Sequence, residues 1–219
     1  MKAVITGDII HSTAIPIEQR PRLLQELDRI VNELRAIAPL EYEVFRGDSF
    51  QMVVGKAEEA LRIAILTRAG LRKSTPKDTE GAWDARVAIG VGDIAFAGNH
   101  VTISDGEAFQ YSGRAFDELG KSCLAVRTRW ESINEELKVS TPFADDIISN
   151  WTPTQSFVVY QSIAFQRNQR EIAELQQQSP QNISKISVLA KEKLIRAYLT
   201  RYSELITLNT QEVCNSCSD

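Results

Sequence analysis

Two β-prone runs, residues 43–46 and 49–54, are separated only by Gly47-Asp48, and this joint constrains the fold more than any other feature. A two-residue Gly-Asp connection turns the chain straight back, so the runs form an antiparallel hairpin. Around it the element types alternate. Residues 2–5 read as a short β-branched strand, and a helix follows Pro16, with Leu23, Leu24, Leu27, Ile30, Val31 and Leu34 at helical spacing. A second helix is predicted over 57–73, with Ala60, Leu61, Ala64, Ile65 and Arg68 along its length, before a polar loop at 74–81. Residues 85–94 are apolar almost throughout, as in a strand inside a sheet. Then come a loop or strand over 96–105, a helix over 106–119, a strand over 123–129 and a helix over 129–138. The order βαββαβ, with additional elements after it, predicts an α/β (α+β) sandwich of ferredoxin-like type.

Composition narrows the class. Apolar residues are 43% and charged residues 25%, ordinary globular values. No apolar run approaches the ~20 residues that span a bilayer, and Asp8 comes too early for the apolar region of a signal peptide. These features predict a soluble cytoplasmic protein with no membrane partner. A net charge of −4 disfavours a general nucleic-acid coat. The charge is uneven, however: residues 150–219 hold seven Lys/Arg and six Asp/Glu. Three cysteines are not a disulfide framework, and Cys214-x-x-Cys217 lacks a second pair for a metal. His100 has no ligand partners nearby in sequence and reads as a surface residue.

The stretch Asn150-Trp151-Thr152-Pro153-Thr154 reads as a boundary, with Thr154 capping a helix over 155–165. It divides the chain into a first domain at 1–150, a small helical domain at 151–210 and a flexible tail at 211–219. Within the second part, residues 169–175 and 178–185 resemble a helix-turn-helix. Ile172, Ala173 and Leu175 are expected to pack on Ile183, with Ser179 capping the second helix and Pro180 at its first position. Gln181, Asn182, Ser184 and Lys185 would then face a DNA groove. Gln177 stands where such turns usually carry a glycine at positive φ. The alternative is a helical dimerisation or partner-binding module.

Chemistry concentrates at two aspartates. Asp8 lies where the first strand stops, and Asp48 lies at the hairpin tip. A βαββαβ sheet sets these two strands side by side, so the carboxylates could share hard divalent ions. The turn after Asp8 leads to a helix N-terminus, a natural cradle for phosphates. On their own, the two residues also read as a loop cap and a turn residue.

Four blocks then resemble a family. Asp8-Ile9-Ile10-His11-Ser12-Thr13, Phe45-Arg46-Gly47-Asp48-Ser49-Phe50-Gln51, the strand Arg86 to Ile94, and Gly106-Glu107-Ala108-Phe109-Gln110-Tyr111-Ser112-Gly113-Arg114 occur in the order of the class III nucleotidyl cyclase catalytic domain. The resemblance covers roughly residues 1–130. It implies a cyclase/palm-type fold acting on a nucleoside triphosphate. It also implies two Mg²⁺ or Mn²⁺ ions on Asp8, Asp48 and the carbonyl of Ile9. Ile10, His11, Ser12, Thr13 and Arg46 would lie against the nucleotide. Gln110 and Arg114 would act across a homodimer interface. Val44 and Ile103 stand where adenine-selective cyclases carry a lysine and an aspartate, so base recognition is expected to be changed or absent. The chain also resembles the SatD family, with its strand-Gly-Asp start, Gly-Asp-x-Phe-Gln hairpin and helix-turn-helix ending. Two functions stay open at this point: a cyclase coupled to a DNA-binding module, or a non-catalytic regulator whose first domain senses nucleotide or dimerises.

Overall fold

The computed structural model describes residues 1–45, 47–77, 79, 81–96 and 105–216. Arg46, His100, Ile103 and Cys217, named above, lie outside the described residues. The strands are β1 (Lys2–Ile9), β2 (Leu40–Phe45), β3 (Ser49–Val54), β4 (Ala85–Gly92), β5 (Ile94–Phe96), β6 (Asp105–Gly106) and β7 (Leu124–Thr128). The α-helices are α1 (Arg20–Leu34), α2 (Ala60–Lys73), α3 (Glu107–Asp117), α4 (Glu131–Ser149), α5 (Pro153–Ala164), α6 (Gln169–Gln176), α7 (Pro180–Leu189) and α8 (Glu192–Ser216). Five strands form one sheet in the order β2-β3-β1-β4-β7, and β5 and β6 pair separately. The first four run antiparallel to their neighbours, as the βαββαβ order predicts, and β7 adds a parallel edge beside β4.

Alternation along the strands gives the sheet two buried faces. Ala3, Ile5 and Ile9 of β1, Phe50, Met52 and Val54 of β3, and Val87, Ile89 and Val91 of β4 join α1, α2 and α4 in the main core. Val4, Val53 and Ala88 point the other way, where Ala108 and Ala115 of α3 cover them. The α3 contact is a close one. A Cβ built on Gly90 would stand 2.1 Å from the Ala108 carbonyl oxygen and 2.3 Å from the Ser112 nitrogen.

Every residue of α2 from Ala60 to Arg72 except Arg62 is buried, as expected only for a helix enclosed by protein. The sheet and α1 cover one side, and α5, with α4 and α8 at its edges, covers the other. One apolar core therefore runs from the sheet through α2 to Val159, Tyr160 and Ile163 of α5 and to Ile195, Leu199 and Tyr202 of α8. Tyr202 also donates to the Ala57 carbonyl at 2.9 Å, and Trp151 is only 2% exposed, its Nε1 donating to the Ala190 carbonyl at 2.7 Å.

Arg68, read from sequence only as a residue along a helix, is fully buried and holds two segments together. It donates to both oxygens of Asp84 at 3.0 and 2.8 Å and to Asp145 at 2.6 Å. Arg72 adds a bond to Asp84 at 2.8 Å and closes on the carbonyls of Ser149 and Trp151.

Some local expectations need correction. The cap of α5 is Thr152, not Thr154: its side chain accepts from Gln155, whose own side chain accepts from the Thr152 N–H. Pro153 at the first helical position fixes that start. Replacing Thr152 by alanine is expected to cost about 1 kcal/mol in urea unfolding; a loss below about 0.3 kcal/mol would show the cap to be idle. The helix after β7 continues past Lys138 to Ser149 despite an internal Pro142, because Leu137, Thr141, Ala144 and Ile148 bury its inner side. Among the described residues no helix is long and apolar enough to cross a membrane.

Candidate functional site

The sheet register brings the two aspartate-bearing strand ends together. Asp8 stands opposite Ser49 on β3 and opposite Arg86 on β4. The Ile9 N–H donates to the Asp48 carbonyl at 3.1 Å, which closes the β1 end onto the hairpin tip. Gly47 takes φ 81°, a conformation that glycine adopts without strain. Both aspartates are half-buried, and each has its own partners. Asp8 accepts from Ser49 Oγ at 3.3 Å and from the Arg86 guanidinium at 3.2 Å. Asp48 accepts from Ser12 Oγ at 2.5 Å.

Among the described residues no cluster of three His, Cys, Asp or Glu side chains joins them. Two half-buried carboxylates nonetheless suit a hard divalent ion of the magnesium kind. Such an ion takes one or two carboxylates from protein and its remaining oxygens from phosphates and water.

The turn after β1 is a different cradle from the one expected. α1 begins only at Arg20, so its N-terminus does not follow Asp8 directly. Instead Ser12–Ala14 forms a 3-10 turn, with His11 before it in the left-handed region at φ 53° and ψ 34°. Among the described residues, the N–H groups of His11, Ser12 and Thr13 donate to no backbone carbonyl. Three consecutive free amides of this kind form an anion-binding concavity. Beside them opens a cleft of about 460 Å³, lined by Ser12, Thr13, Gly47 and Asp48 and, on its apolar side, by Leu23 and Leu24.

Gln110 and Arg114 lie on α3, one turn apart and both exposed. The buried positions of that helix are Ala108, Ser112 and Ala115. At 3.6 residues per turn this places Gln110 and Arg114 on the opposite side, turned away from the sheet that carries the aspartates. Among the described residues Arg114 has no ion-pair partner. Val44, on β2, is half-buried and packs against the core.

Sequence reading missed Arg86, which pairs with Asp8 and lies 5.3 Å over the Phe116 ring of α3. It also missed a polar chain on the same sheet face: Gln51 donates to Thr6 at 3.2 Å, and Thr6 to Ser112 at 3.0 Å. The antiparallel register of β1 on β4 was the signal that could have found Arg86.

In the C-terminal part, Gln177 takes the left-handed conformation at φ 51° between α6 and α7, and Ser179 caps α7 by accepting from the Asn182 N–H. Ile172, Ala173 and Ile183 pack with Val158 of α5. Leu175 does not join them. It is 50% exposed, because it faces away from the α6–α7 contact. Gln181, Asn182 and Lys185 are exposed and Ser184 half-buried, and Asn182 donates to Gln178 at 2.7 Å. Val188 and Leu189 at the end of α7 are exposed as well.

No family model matches the chain, and no curated protein does. Solved structures do. The guanylyl cyclase Cya2 is similar at 14% identity and TM-score 0.43, over 53% of this chain and 69% of that one. A bacterial light-regulated adenylyl cyclase is similar at 16% identity and TM-score 0.44, over 57% and 74%. The monomeric guanylyl cyclase domain of the RhoGC fusion protein from the aquatic fungus Blastocladiella emersonii gives 20% identity and TM-score 0.42, over 53% and 74%. At such scores the likeness is partial, and nothing about this chain's chemistry follows from it.

Proposed function

We propose that the chain is a divalent-metal-dependent nucleotide-binding protein of nucleotidyl-cyclase type, converting a nucleoside triphosphate to a cyclic nucleotide and pyrophosphate. The observation that carries this reading is the joined end of β1 and the hairpin, where Asp8 stands opposite Ser49 and Asp48 accepts from Ser12 of the turn whose amides donate to no backbone carbonyl. Asp8, Asp48 and the Ile9 carbonyl would hold two Mg²⁺ or Mn²⁺ ions, and the amides of residues 11–13 would take the phosphate oxygens. When bound, the ions lower the pKa of the ribose 3′-hydroxyl and neutralise charge on the leaving pyrophosphate. Arg86, held between Asp8 and the Phe116 ring, would stand beside the incoming anion. Ile10 would border the nucleotide.

The outward set of Gln110 and Arg114 supports a site completed by a second copy. In a two-fold dimer each α3 would present its exposed side to the partner's aspartates. Arg114 would then stabilise charge that develops on the α-phosphate.

Mn²⁺ with a nucleoside triphosphate is expected to raise the melting temperature by about 5–10 °C at a hundred times Kd. Asp8→Asn and Asp48→Asn should abolish that shift while melting normally without ligand. Equal shifts in all three proteins would remove the metal site from this reading. Mixing Asp48→Asn with Arg114→Ala should restore part of any cyclic product formation, since some heterodimers hold one intact site. Failure to restore any, with both variants dimeric, would remove Arg114 from the reaction.

A second reading, in which the first part only senses nucleotide and α6–α7 bind DNA, is favoured by the left-handed Gln177 turn and the Ser179 cap. Lys185→Glu would then weaken DNA retention, with a salt slope shallower by about one phosphate contact. No retention of DNA by the wild type at low salt would exclude it.

A further inference from the structure

Well away from the aspartates, three arginines from separate parts of the chain line one pocket of about 310 Å³. Arg62 lies in the first turn of α2, Arg167 in the loop between α5 and α6, and Arg196 on α8. Ser162, Gln166 and Thr200 complete the polar wall, and no carboxylate lines it.

Their existing partners leave positive charge over. Arg62 pairs with Glu59 at 3.2 Å, and Arg196 pairs with Glu192 at 2.8 Å. Arg167 has no carboxylate among the described residues. It donates to the side chain of Gln161, and its guanidinium lies 5.0 Å over the Phe165 ring. Stacking of this kind holds the planar fork in place while its other N–H groups stay free. The Nε of Arg62 is buried and, among the described residues, donates to nothing, a costly state for a charged donor unless a ligand accepts from it. Two partnered arginines and one without a carboxylate, at a concave site, select an anion over a neutral ligand.

We infer that this pocket binds a small phosphoryl-bearing anion. Guanidinium forks match phosphate oxygens in pairs, and the volume lies at the lower end of ligand sites. Among the described residues no aromatic side chain lines the pocket, so it offers a base no ring to stack on. The bound anion would tie α2 to the α5–α6 loop and to α8. This inference does not rest on the cyclase reading, because none of these residues touches the aspartate site.

The test uses the full chain in EDTA, so that no metal recruits anions to Asp8 and Asp48. Orthophosphate, pyrophosphate and glycerol 3-phosphate are each titrated by calorimetry and by thermal melting, against sodium chloride of equal ionic strength. At least one is expected to bind at a single site and raise the melting temperature; the one that does tells free phosphate from pyrophosphate or a phosphomonoester. Arg62→Ala and Arg167→Ala should each weaken it about tenfold or more, and Asp48→Asn should bind like the wild type. If Arg62→Ala does not fold, Arg167→Gln on the half-exposed loop carries the comparison. Three silent anions, binding that survives both arginine changes, or binding lost in Asp48→Asn would each overturn the inference.

Discussion

Arg68→Met is expected to destabilise the protein by about 3–5 kcal/mol in urea unfolding. The substitution keeps most of the side-chain volume, so the loss reports charge rather than packing. Arg68 is fully buried and bonds both Asp84 oxygens and Asp145. Without it, Asp145 keeps the Cys123 N–H at 2.7 Å and Asp84 keeps Arg72 and the Ala85 N–H. Asp145 then has no cation in a dry interior, and a buried charge without its partner is among the most destabilising arrangements known. Leucine at both Asp84 and Asp145, added to Arg68→Met, should recover part of the loss, because well-packed apolar groups often replace a buried ion network at little cost. A loss below about 1 kcal/mol for Arg68→Met would mean that water reaches the network.

Gly90→Ala is expected to cost about 3 kcal/mol, at the upper end of what overpacking does. The added Cβ would meet backbone atoms of Ala108 and Ser112, at 2.1 and 2.3 Å. A side-chain tip could rotate aside, but the backbone of α3 moves only as a helix. Relief therefore lifts α3 off the sheet and opens the contacts of Ala108 with Val4 and Val53. The same shift displaces Gln110 and Arg114. Any cyclic product formed by the wild type should fall with stability, although no proposed site residue has changed. An unaltered melting temperature would show that α3 sits more loosely on β4 than these distances imply.

Much of this was legible from local pattern. Gly47-Asp48 set the hairpin, and the hairpin set the sheet order that joins the ends carrying Asp8 and Asp48. Gln177 was read as a position needing positive φ, and it takes φ 51°. Features that depend on distant residues were not legible. Arg68 is a charge on an otherwise apolar helix, and nothing in its own segment announces Asp84 or Asp145. Arg86 meets Asp8 only through the register of β1 on β4. The helix α4 runs beyond the 129–138 expected from sequence because burial of its inner side carries it through Pro142, a tertiary effect.

The enclosure of α2 also bears on how the chain is made. Synthesis delivers the sheet strands and α2 before α5 and α8 exist, so the outer side of α2 leaves the ribosome with nothing to cover it. At the usual rate of elongation, the stretch from Pro153 to Ile206 takes about 3–10 s to appear. Over that interval the side of α2 that meets α5 has no complete cover, which is the kind of surface that aggregates or draws chaperones. Completion of the first half is thus timed by arrival of the last quarter. A ribosome stalled near residue 150 would hold a nascent chain bound by chaperones, not a finished sheet with its helices packed.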